Sequence, residues 1–78
     1  MSNSQEAFKY LKMRLSSLRD KVDITLLEDR GKEIFIEVAY PPNLEAIVRG
    51  IVGYTVYDAL SLFDVLIRPK FRIKSIKP

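Results

Sequence analysis

Apolar positions change their period three times along this chain. Phe8, Leu11, Leu15 and Leu18 recur at helical spacing, which predicts a first helix from about Ser4 to about Arg19. Asn3-Ser4-Gln5-Glu6 reads as a capping box, with Asn3 or Ser4 as the N-cap. The other side of this helix carries Lys9, Lys12, Ser16 and Arg19, a basic stripe that suits a solvated face. From Val22 the period drops to two. Val22, Ile24 and Leu26 alternate with Asp23 and Thr25, and EIFIEVAY, residues 33–40, alternates again. Gly31 can supply the positive φ of a tight turn between them, so a β-hairpin is expected. Its second strand would aim Ile34, Ile36, Val38 and Tyr40 at the helices, and Glu33, Phe35, Glu37 and Ala39 away from them.

Pro41-Pro42 ends that strand, because proline cannot donate to a ladder, and Asn43 can cap the next element. Leu44 to Phe63 is helical in pattern but apolar nearly all round, with glycines at 50 and 53. Either one helix carries both glycines, each about 1 kcal/mol worse than alanine, or two short helices meet at Gly50-Ile51-Val52-Gly53. The cost favours a break. The last run, VLIRPKFRIKSIK, alternates once more, with Ile67, Phe71 and Ile73 on one side and Arg68, Lys70, Arg72 and Lys74 on the other. Pro69 makes it an edge strand or bends it. The expectation is one small α+β domain over residues 1–78 with no linker, in the order αββ(α)αβ, its helices packed on one face of a three-stranded sheet.

Composition narrows the chemistry. Seventy-eight residues with 47% hydrophobic and 29% charged suit a small soluble globular protein with a modest core. Without cysteine or histidine there is no disulfide, thiolate or imidazole metal site, or histidine-based triad, and no cofactor is implied. Asp58 and Asp64, six apart, do not share a helical face. No catalytic residues are assigned, and a non-enzymatic role is expected. The N-terminus lacks the basic-then-apolar order of a secretory signal, and Glu45, Arg49 and Asp58 interrupt the apolar stretch. A cytoplasmic protein with no membrane contact is expected, and its Ile, Lys, Arg and Glu content is thermophile-like.

The order helix, strand, strand, helix, helix, strand, with Gly50 and Gly53 at the junction, Arg49 before them and Val56 after, resembles the type II KH domain. The resemblance covers almost the whole chain. It implies single-stranded RNA or DNA binding, in which glycines let backbone N–H groups approach phosphates while bases lie in an apolar groove. Here Ile47, Ile51 and Val38 would line the groove, with Tyr54 and Tyr57 as stacking surfaces. The chain departs from the pattern in carrying Ile51-Val52, two apolar residues, between the glycines.

Charge is unevenly placed. The segment through Lys21 carries a net +3, residues 22–64 a net −5, and the tail from Val65 five basic residues and no acid. Arg68, Lys70, Arg72 and Lys74 would project from one sheet face about 6.5 Å apart, a spacing that can follow phosphates. Glu33, Glu37 and Asp23 project from the same face, so cross-strand ion pairs can consume that field. The candidate nucleic-acid contacts are Arg49, Gly50, Gly53, Tyr54, Arg68, Lys70, Arg72 and Lys74. The alternative is a protein-interaction or dimerising subunit, with Phe35, Ile51 and Val52 at the interface. Phe35 and Leu27 on an uncovered sheet face and the apolar helix both suggest a protein partner or a homodimer.

Overall fold

The computed structural model describes residues 3–74. The hydrophobic pattern becomes an αββαβ chain: helix α1 (Asn3–Arg14), strand β1 (Asp23–Asp29), strand β2 (Glu33–Tyr40), helix α2 (Glu45–Phe63) and strand β3 (Leu66–Ile73). The sheet order is β1-β2-β3, with β1 antiparallel and β3 parallel to the central β2. Parallel pairing results from α2, which carries the chain back along the sheet before β3 starts.

β2 is the strand whose alternation is fully used. Ile34, Ile36, Val38 and Tyr40 are buried against the two helices. They meet Ala7, Leu11 and Leu15 of the α1 segment, Val48, Val52 and Ala59 of α2, and Ile67 of β3 in one core. Ala39, on the opposite face, is also buried, in register between Asp23 and Arg72.

Three local differences from the sequence pattern have physical causes. Helix α1 ends at Arg14, and a 3-10 turn over Ser16–Leu18 replaces its expected last turn. Leu18 and Arg19 donate to carbonyls three residues back, the tightening that satisfies helix ends. Asn3 and Ser4 lie inside the helix and tie it to other elements. Asn3 Nδ2 donates to the Phe63 carbonyl at 3.1 Å, and Ser4 Oγ to Asp29 Oδ2 at 2.8 Å. Asp29 Oδ1 in turn accepts the Gly31 N–H at 2.8 Å, at the φ of +86° that the hairpin turn requires. In β1 a bulge between Leu26 and Glu28 gives Glu28, not Leu27, the register position opposite Phe35.

The largest correction concerns the glycines. Residues 45–63 form one continuous helix, and no break occurs at Gly50 to Gly53. Val48, Val52, Thr55 and Ala59 recur every three or four residues and are all fully buried. Packing of that row outweighs about 1 kcal/mol of propensity per glycine. Thr55 satisfies its hydroxyl by donating to the Ile51 carbonyl one turn back, at 2.7 Å. Asn43 sits in a 3-10 turn, Pro42–Leu44, and Leu44 takes the N-cap position with no side-chain capping bond. Asp64 closes the helix in the left-handed region at φ 57°, its N–H donating to the Leu60 carbonyl at 3.1 Å. By length and hydropathy Pro42–Phe63 is apolar enough to cross a membrane, yet in this fold its inner row is core.

Candidate interaction surface

With Val48, Val52, Thr55 and Ala59 turned inward, the other side of α2 is left to solvent. Ala46, Ile47, Gly50, Gly53, Tyr54, Tyr57, Leu60 and Ser61 are all exposed, Tyr54 at 72% and Tyr57 at 76%. At 100° per residue these eight lie within about 70° of one direction, opposite the buried row. A β-carbon built at Gly50 or Gly53 meets nothing within 4 Å, so neither glycine serves a contact among the described residues. They form the floor of an open groove of about 480 Å³ walled by Arg49, Tyr54 and Tyr57.

The charges flanking this surface are held by partners within the chain. The Arg49 guanidinium lies over the Phe71 ring, 4.4 Å from its centroid, and 3.8 Å from the Glu45 carboxylate. Asp58 accepts the Tyr10 hydroxyl at 3.3 Å and faces Arg14 at 3.8 Å, both on α1. The stripe between them carries no charged residue.

The outer sheet face is different in kind. Arg68 pairs with Glu33, Arg72 donates to Glu37 at 3.1 Å, and Lys74 lies 2.9 Å from Asp23 while donating to the Lys21 carbonyl. The cross-strand neutralisation anticipated from the sequence is therefore present at three of the four basic positions. Lys70 is the member of the row that makes no ion pair among the described residues. Lys77 lies outside them.

Arg49, Gly50, Gly53 and Tyr54 are brought together, joined by Tyr57. Arg68, Lys70 and Arg72 project from the sheet face turned away from the helices, so one groove cannot hold both groups. Gly50 and Gly53 do not offer the phosphate grip expected of a glycine loop, because N–H groups in a helix interior are committed to carbonyls four residues back. Ile47, Ile51 and Val38 do not line one groove: Val38 is fully buried, Ile51 packs on the core and Ile47 is half exposed.

Of the expected interface residues, Val52 is fully buried and belongs to the core, since it falls in the inward row of the continuous helix. Ile51 is partly buried beside it. Phe35 is half-buried on the outer sheet face, with the Arg30 guanidinium 4.9 Å from its ring centre. Sequence reasoning missed Ala46, Leu60 and Ser61. Their spacing of three and four from the glycines and tyrosines is the signal that groups them.

No family model, curated protein or solved structure matches the chain. The element order αββαβ has one helix where the type II KH pattern places two.

Proposed function

We propose that this chain is a non-catalytic interaction module that docks a protein partner on the outer face of α2. The observation that carries the reading is the pair of exposed tyrosines beside two glycines that nothing among the described residues approaches. Tyrosine supplies large contact area at low entropic cost, and interface centres are poor in charge and rich in aromatic residues. Each glycine costs the isolated helix about 1 kcal/mol relative to alanine, and close approach by a partner backbone offsets that.

Single-stranded RNA or DNA on the same face is a second reading, favoured by Arg49 standing beside Tyr54 and Tyr57. Bases would stack on the rings and a phosphate would pair with the guanidinium, giving salt-sensitive binding with little sequence preference. In that case Gly50 and Gly53 give room only.

A photo-crosslinking residue placed at Tyr57 in the native cell separates these readings, with Thr25 on the outer sheet face as control. Protein adducts at 57 and none at 25 are expected. Adducts at 57 that nuclease removes would replace the first reading with the second. Adducts only at 25, or none at either position, would contradict both.

A further inference from the structure

The exposed stripe of α2 is arranged symmetrically in position and oppositely in size. About a point between Gly53 and Tyr54, the sequence numbers pair as Gly53 with Tyr54, Gly50 with Tyr57, Ile47 with Leu60 and Ala46 with Ser61. The first two pairs set a glycine against a tyrosine, and the third sets aliphatic against aliphatic. We propose that the occupant of this face is a second copy of the same chain, its α2 lying antiparallel across the first about a two-fold axis between Gly53 and Tyr54. The inference rests on the protein-docking reading above and names the partner.

In that arrangement Tyr57 of one copy lies over Gly50 of the other, twice, by symmetry, and the two Tyr54 residues meet beside the axis. A parallel arrangement would set Gly50 over Gly50 and Tyr57 against Tyr57 on the centre line, leaving a void beside a clash. Charge permits the contact. The eight stripe residues are uncharged, and Arg49 and Asp58 on its flanks are held by Phe71, Glu45, Tyr10 and Arg14 of their own chain. An identical surface therefore meets no like charge at its centre.

Area sets the strength. At 72% and 76% exposure, Tyr54 and Tyr57 together leave roughly 300 Å² open. With half-exposed Ile47 and Leu60 and the small residues between, the stripe offers on the order of 600 Å², against about 800 Å² per partner in a standard interface. That is enough for a reversible dimer with a dissociation constant in the micromolar range or weaker, and too little for an obligate one.

The chain contains no cysteine, so single cysteines report the geometry without background. Along the antiparallel helices Tyr54 lies about 1.5 Å from its twin, whereas Ile47 lies about 20 Å from its own. Disulfides need Cα atoms within about 7 Å. The expected result is that Tyr54→Cys oxidises to a covalent dimer and Ile47→Cys alone does not. An equimolar mixture of Gly50→Cys and Tyr57→Cys, which face each other across the axis, should form the mixed dimer.

Sedimentation of the unmodified chain should show a concentration-dependent dimer, weakened about tenfold or more by Tyr57→Ser with the unfolding midpoint unchanged. Ready cross-linking of Ile47→Cys to itself would overturn the antiparallel arrangement. A monomer up to about 1 mM would overturn the second copy alone, and photo-adducts to another protein at position 57 would then still support docking on α2. A dimer indifferent to Tyr57→Ser, with no cross-link at Tyr54→Cys, would overturn both.

Discussion

Two surfaces of this protein face solvent with opposite chemistry. The outer face of the sheet carries basic residues at every second position from Arg68 to Lys74, yet Glu33, Glu37 and Asp23 answer three of them. The outer face of α2 carries isoleucine, leucine, glycine and two tyrosines, and nothing among the described residues covers it. A row of charge that resembles a binding site is largely satisfied internally, and an apolar row that resembles core is exposed. The chemistry left unanswered belongs to α2, and that is why the docking proposal is placed there.

The sharpest break in the comparison runs through α2 itself. Val52→Asp places a charge in the core and is expected to destabilise by about 4 kcal/mol or more, enough to unfold a domain this small. Tyr54→Asp, two residues on, should change the stability of the monomer by no more than about 0.5 kcal/mol. Urea unfolding of both variants in dilute solution checks the contrast.

Next in size is the tie between α1 and the hairpin. Ser4→Ala removes the hydroxyl that donates to Asp29 and should cost about 1 kcal/mol, seen as a lower urea midpoint with an unchanged slope. At the end of α2, Asp64→Gly should stabilise by about 0.5–1 kcal/mol, because glycine adopts φ 57° without the strain of a side chain.

The smallest effect on stability is expected on the sheet. Glu33→Gln with Glu37→Gln removes exposed ion pairs worth about 0–1 kcal/mol each, so the midpoint should hardly move. The same double variant frees Arg68 and Arg72 and should strengthen binding of a single-stranded oligonucleotide severalfold at low salt, an effect lost at high salt. If the parent already binds as tightly, the ion pairs do not mask the strand.

Much of the sheet was legible in the chain. The alternation of EIFIEVAY gave the inward and outward sets of β2, Gly31 marked the turn, and the acids opposite the basic tail announced their pairing. The continuity of α2 was not legible. With apolar side chains on both of its faces, periodicity could not tell the row beneath which β2 packs from the row left open. Propensity then argued for a break that the burial of Val48, Val52, Thr55 and Ala59 overrides. The bulge at Leu26 to Glu28 was hidden for a related reason, since one extra residue reverses the facing of the residues after it without altering composition. The candidate surface was half visible. The pattern marks the glycines as a junction and Tyr54 as a stacking surface, whereas in one continuous helix Val52 falls in the buried row.

The claim that binds these points together is that Gly50 and Gly53 lie on the open side of an unbroken helix. Equilibrium urea unfolding of the Gly50→Ala/Gly53→Ala double variant, at a concentration low enough to keep the chain monomeric, tests it directly. Since an added β-carbon meets nothing within 4 Å at either position, the variant should be more stable than the parent by about 1–2 kcal/mol with no loss of helical signal. A variant that is less stable, or less helical, would show that the glycines serve a turn or a close contact within the chain, and would contradict the account.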